Sequence, residues 1–133
     1  MATNRSSDTV TLMQNCRSQP NATVTLVVPT NGTIVLTSQV TAIVFHVNGN
    51  VDMWTVMHGN APTDCSGLFD GWVGYVSGSQ PTEGLTVTAT VVSYYRAGPG
   101  AHTFYLTGLE NSAPPNTVMI TRSKTVAVFY PDS

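Results

Sequence analysis

Charge is what this sequence has least of. Asp, Glu, Lys and Arg make up 9% of its 133 residues, against roughly 25% in ordinary soluble domains. The formal net charge is −2 and the full cations are Arg5, Arg17, Arg96, Arg122 and Lys124. Along the chain they form no basic stripe that could neutralise phosphates, which argues against nucleic acid as a partner. Long apolar runs are also missing. Nothing approaches the ~20 residues needed to cross a bilayer, so no membrane span is expected. Residues 1–8 are polar and lack the hydrophobic core of a signal peptide, so any leader has been removed or export takes another route. Cysteine is scarce: Cys16 and Cys65 alone are too few for a disulfide framework or a structural zinc site. Two separate thiols are the expectation. The alternative is a bridge from the end of the first strand to a mid-chain loop.

Thr, Ser, Asn, Gly and Val take the place of the missing charge. β-branched side chains suit a pleated surface, and short Val/Thr/Ile runs alternate with turn clusters at the spacing of a sandwich or barrel. The pattern predicts strands over residues 9–13, 22–28, 33–38, 40–47, 51–57, 72–76, 85–95, 101–107, 118–121 and 125–131. Asn31-Gly32 and Asn48-Gly49 carry the type I′ hairpin signature, so the strands on either side of Asn48-Gly49 are expected to pair. In 85–95, Leu85, Val87, Ala89 and Val91 alternate with Thr86, Thr88 and Thr90, which predicts an antiparallel sheet with one solvated or interfacial face. Residues 59–71 and 77–84 read as loops, and 110–116 as a Pro-rich loop. No amphipathic helix, internal repeat or second domain is visible. The expectation is one all-β domain over 1–133, a two-sheet antiparallel jelly-roll sandwich, with 1–8 as a flexible terminus.

Two segments near the end are more specific. Arg96-Ala97-Gly98-Pro99-Gly100 is a tight turn followed by the strand Ala101-His102-Thr103-Phe104-Tyr105-Leu106, and Thr125-Val126-Ala127-Val128-Phe129-Tyr130-Pro131 follows later. With residues 22–32, these resemble bacterial and viral domains of the tumour-necrosis-factor-like superfamily, which includes the globular heads of complement and collagen-like proteins. The resemblance implies a near-ten-stranded jelly roll that forms a compact homotrimer, with the terminal strand near the three-fold axis. On that basis Phe104 and Phe129 are core or axis residues, while Tyr105, Val128 and Tyr130 face the other way. The bland reading of both segments is ordinary sandwich core.

No catalytic signature frames the abundant Ser, His and Asp residues, so neither an enzyme nor a cofactor is expected. His46, His58 and His102 have no metal-ligand spacing. His46 reads as a satisfied inward or interface histidine, His102 as structural, and His58, opening the long loop, as solvent-facing. Asp64 and Asp70 have the chemistry for Ca²⁺, but turn formation is the commoner role of such residues and no metal site is assigned. Aromatic and polar residues gathered around the loops carry more weight. Trp54, Trp72 and Tyr75 flank 59–71, which holds Asn60, Asp64 and Asp70, and Tyr94, Tyr95 and Arg96 form a second cluster. Such rings offer an apolar face to a sugar while Asp, Asn and Arg bond its hydroxyls. The competing role for Trp54 and Trp72 is as core anchors.

Within the superfamily, a trimeric fucose-binding lectin branch runs from a Tyr-containing strand through a polar loop into a Thr/Val-rich strand. Tyr75, then Ser79-Gln80-Pro81-Thr82-Glu83-Gly84, then residues 85–90, is similar in layout. Glu83 and Gly84 stand where that branch has its sugar-binding Arg. The carbohydrate-binding residues expected are Tyr75, Trp72, Thr82, Glu83, His58, Asp70, Tyr95 and Arg96. The expected function is a non-enzymatic homotrimeric lectin, outside the cell or on a cell or virion surface. Its sites would be shallow, near subunit interfaces, and its partners glycans, fucosylated ones among them. The alternative is a structural trimerising head of a fibre, spore-surface or phage-tail protein.

Overall fold

The computed structural model describes residues 1–67, 70–112 and 117–133, so 68–69 of the long loop and 113–116 of the Pro-rich loop lie outside the described residues. Nine strands occur among them: β1 (Ala2–Ser6), β2 (Val10–Thr11), β3 (Arg17–Val28), β4 (Gly32–His46), β5 (Asp52–Gly59), β6 (Trp72–Val76), β7 (Glu83–Ala97), β8 (Gly100–Glu110) and β9 (Val118–Pro131). They form two antiparallel sheets packed as a sandwich. One has the order β1-β9-β4-β7, with β2 also on β9, and the other β3-β8-β5-β6. This order is compatible with a jelly roll. Among the described residues no helix is long and apolar enough to cross a membrane.

Sequence neighbours mostly lie in opposite sheets. Asn31-Gly32 and Asn48-Gly49 therefore reverse the chain without making hairpins: β3 pairs with β8, β4 with β7 and β9, and β5 with β6 and β8. Gly49 does take the left-handed backbone that the motif supplies, at φ 94°. Burial overrides the local signal, because the apolar faces of consecutive strands meet across the sandwich rather than side by side. The polar N-terminus, expected to be flexible, contains β1, paired with β9 from Ala2↔Ala127 to Ser6↔Ser123. Its side chains hold a bulge in β3. Asn4 Nδ2 donates to the carbonyl of Asn21, and Ser6 Oγ to that of Pro20 at 2.6 Å. Asn21 is left-handed at φ 61°, a conformation Asn tolerates better than most residues.

The interior contains two apolar clusters. The larger joins Leu12, Val40, Val44, Trp54, Val56, Leu106, Val118 and Ile120. The smaller joins Val24, Val28, Ile34, Leu36, Phe104 and Ala127. Trp54 lies over Gly74 of β6, where a Cβ would stand 2.2 Å from the indole, so only glycine gives the ring its seat. Phe104 is core, and Phe129 packs against the smaller cluster from the same inward face of β9.

Between the clusters runs a polar waist. Ser38 of β4, Ser93 of β7 and Thr125 of β9 occupy inward positions in one sheet and surround His58 of β5 in the other. His58 Nε2 meets Ser38 Oγ at 2.7 Å, Nδ1 meets Ser93 Oγ at 2.7 Å, and Ser38 Oγ meets Thr125 Oγ1 at 2.6 Å. A second polar cluster lies nearer the turn between β4 and β5. There His46 Nδ1 contacts Asp52 at 2.5 Å, Nε2 donates to the carbonyl of Gln80 at 3.1 Å, and Thr117 Oγ1 bonds both Asp52 and Glu110. His46 is thus the satisfied inward histidine expected. Among the described residues every buried side-chain nitrogen and oxygen has a partner.

Cys16 and Cys65 form a disulfide with their Cα atoms 5.8 Å apart, which corrects the expectation of separate thiols. The bridge pins the chain entering β3 to the loop after β5. Spacing alone could not show it, because the two residues come together only once the loop folds back over the outer face of β5.

Candidate functional site: an open cleft over the polar waist

β6 pairs with β5 only from Asp52 to Val56, so Met57–Gly59 extends beyond it. There the sandwich opens between β5 and the edge strand β7. The resulting cleft, of about 330 Å³, is lined by His58, Ser93, Val92, Tyr94, Tyr95 and the loop residues Ser66, Gly67 and Asp70.

The loop wall is built by short polar contacts. The carboxylate of Asp64 accepts from the backbone N–H groups of Asn60 and Ser66, at 3.0 and 2.9 Å, and from Ser66 Oγ at 2.6 Å. The Ser66 hydroxyl, followed by the Asn60 and Ser66 amides, holds the Asp64 carboxyl below its ordinary range. Asp64 therefore works as a turn former. Its carbonyl accepts from Thr107 Oγ1 at 2.9 Å, which fastens the loop to β8, and the disulfide follows at the next residue. Gly59 is required where the loop leaves β5, since a Cβ there would lie 2.2 Å from the Asp64 carbonyl oxygen. Among the described residues no group of three or more His, Cys, Asp or Glu is placed to hold a metal.

The opposite wall is β7. Tyr94 points outward with 72% of its surface exposed. Tyr95 points inward, its ring 4.8 Å from that of Phe104, and its hydroxyl donates to the His58 carbonyl at 2.9 Å. Burial, then the nearby charges of Asp64 and Asp70, pushes the Tyr95 phenol up, so it stays a neutral donor. On the floor, His58 is only 2% exposed, which overturns the expectation that it faces solvent. The strand continues one residue past the apparent start of the loop, and alternation turns this position into the sandwich. Burial lowers the His58 pKa from 6.5 to about 4. At neutral pH the ring is uncharged, with one nitrogen donating and the other accepting.

The cleft gathers His58, Asp70 and Tyr95 from the expected set and not the others. Arg96 lies on the outer face, half-turned from Tyr95, where its guanidinium makes a two-pronged pair with Asp132 at 2.8 and 2.7 Å. It lines a neighbouring hollow with Asn60, Tyr95 and His102. His102 is fixed there by a 2.7 Å contact from Nε2 to the Gly98 carbonyl. Trp72 faces the core, 5.9 Å from Trp54, so both tryptophans act as anchors. Tyr75, 62% exposed, stands on the outer face of β6 opposite Met53. Thr82 accepts from the Asn48 amide at 2.8 Å, and Glu83 pairs with His46 at the far end of β7. At ~3.4 Å per residue, this is roughly 30 Å from the cleft.

Ser66 and Ser93 were not singled out in the sequence. For Ser93 a signal existed: it continues the inward register Leu85, Val87, Ala89, Val91, so a polar group is carried into the interior. Comparison with protein-family models gives no match for this chain, and comparison with curated proteins gives none either.

Proposed function

We propose that this protein is a non-enzymatic carbohydrate-binding domain whose glycan site is the cleft between β7 and the loop after β5. The observation that carries the reading is the convergence on one open cleft of an exposed ring (Tyr94), a carboxylate (Asp70) and a loop hydroxyl (Ser66). An exposed tyrosine face suits the C–H face of a pyranose, and the carboxylate and hydroxyl suit its OH groups. Binding fits better than hydrolysis. Ser93 and His58 have the spacing of a nucleophile and base, but the second ring nitrogen meets the hydroxyl of Ser38, not a carboxylate. A histidine at about 4 is also a poor base near neutrality. A disulfide beside the site suits an oxidising compartment, so an extracellular or surface location is part of the proposal.

A glycan array read at several protein concentrations tests the reading. Binding to a defined set of glycans, lost at least tenfold in Tyr94→Ala and Asp70→Asn while Tyr75→Ala binds normally, is the expected result. Silence across fucosylated, galactosylated and mannosylated probes overturns it.

The second reading, a structural trimerising head, rests on the outer face of the β1-β9-β4-β7 sheet. There Val126, Val128 and Tyr130 of β9 lie beside Val35 of β4, and Val92 and Tyr94 of β7 flank them. Charge on this half of the face is confined to the mutually neutralised Arg96–Asp132 pair at its end, beside Tyr130, and the rest is apolar or Thr, as surfaces buried between copies are. The resemblance of 96–106 and 125–131 to the tumour-necrosis-factor-like superfamily supports three copies. The two readings are compatible, since Tyr94 belongs to both the cleft and this face.

A further inference from the structure

Three of the five cations, scattered along the sequence at 5, 122 and 124, meet at one place on the surface. Arg5 of β1 is the direct cross-strand partner of Lys124 of β9, and Arg122 lies two residues away on β9. The β1 edge stops at Ser6 and β2 resumes at Val10, which leaves a gap beside β9. In the same region the β4–β9 register shifts between Thr41 and Ala42. Gap and bulge together open a concavity of about 540 Å³, within the size range of small-ligand sites.

No acidic side chain lines this concavity. Among the described residues the ion pairs are His46–Asp52 and Arg96–Asp132, so Arg5, Arg122 and Lys124 have no carboxylate partner. Like charges directly opposite on a strand pair are destabilising. They persist here in a chain whose net charge is negative. An anion seated among them would relieve that repulsion. The rest of the lining supplies donors without charge: Gln39, Ser7 and Thr41. Guanidinium groups match tetrahedral oxyanions two-pronged, and a lysine adds a point charge. Among the described residues no aromatic ring lines the concavity, so a nucleobase would find nothing there to stack on, whereas hydroxyl and amide groups suit a sugar.

We propose that this concavity binds the sulfate or phosphate monoester of an anionic saccharide, at a site separate from the cleft and independent of its reading. Calorimetric titration of the full chain would use a 6-O-sulfated disaccharide, a sugar 6-phosphate, the neutral parent disaccharide, inorganic sulfate and a single-stranded oligonucleotide. The sulfated or the phosphorylated sugar is expected to bind, and the stronger of the two identifies the source of the oxyanion. Its affinity should fall with added salt and drop at least tenfold in Arg122→Gln and in Lys124→Gln, with a smaller loss in Arg122→Lys. Arg17→Gln, on the exposed start of β3, should bind normally. These side chains are exposed, and an unchanged circular dichroism spectrum checks that each variant is folded. Equal binding of the neutral parent, unchanged affinity in both charge-removing variants, or neither charged sugar binding would overturn the proposal. So would inorganic sulfate or the oligonucleotide binding as tightly as the charged sugars.

Discussion

At the scale of single residues, His58 is the side chain with the most to lose from a change of pH. It is buried between Ser38 and Ser93 in its neutral form, with its pKa lowered to about 4, whereas an unfolded chain would hold the same proton near 6.5. Between those two values the unfolded state binds more protons than the folded one. Stability therefore falls as pH drops through that window and flattens below about 4. The difference amounts to about 3 kcal/mol. Urea melts at pH 7 and pH 4.5 should show most of it, and His58→Gln, which keeps polar atoms facing both serines, should remove most of the slope. An equally steep slope in His58→Gln would assign the effect to other groups. Asp64, held below its ordinary range by its turn, titrates beneath this window.

At the scale of elements, the loop after β5 owes its place to a few fixed points: the disulfide, the Asp64 turn and the Thr107 bond to it. Closing a loop between cysteines 49 residues apart restricts the unfolded chain by about 4 kcal/mol. Reduction, or Cys16→Ser with Cys65→Ser, should lower the melting temperature by roughly 10 °C or more. The glycan binding proposed for the cleft should weaken at the same time, because Ser66, Gly67 and Asp70 lose their support. A variant that melts as wild type would show that the remaining contacts hold the loop alone.

The same scale shows where the sequence was legible. Alternation located β6 to the residue and gave the inward and outward faces of β7, where long apolar/Thr periodicity meets no interruption. It split β4 at Gln39 and β9 near Arg122–Lys124, although each is one continuous strand. Both splits fall at the polar waist. Ser38, Ser123 and Thr125 look like turn residues in a linear chain and are interior residues in the folded one. His58 escaped for the same reason: its partners Ser38 and Ser93 are 20 and 35 residues away. The candidate cleft was half legible, through its tyrosines and Asp70. Its floor depends on pairing across the two sheets, and no local pattern encodes that.

At the scale of the whole molecule, two halves of one sheet face differ in chemistry. Val126, Val128 and Tyr130 make one end of β9 apolar on its outer side, and Arg122 and Lys124 make the other cationic. The apolar half is the surface proposed for self-association. Light scattering should then give three times the chain's 14.1 kDa, and Val128→Asp or Tyr130→Asp should yield a folded monomer. A wild-type monomer at high micromolar concentration would remove the trimer.

β9 is the last of the nine strands along the chain, yet it lies inside its sheet, between β1 and β4. A ribosome delivers β1 and β4 long before their shared partner. Until residue 118 emerges, each shows an unpaired edge, and an edge of this kind invites pairing with another chain. The growing polypeptide thus exposes both edges to other chains until β9 emerges. Slowing synthesis ahead of β9, or cutting the message short there, is the perturbation this architecture tolerates least.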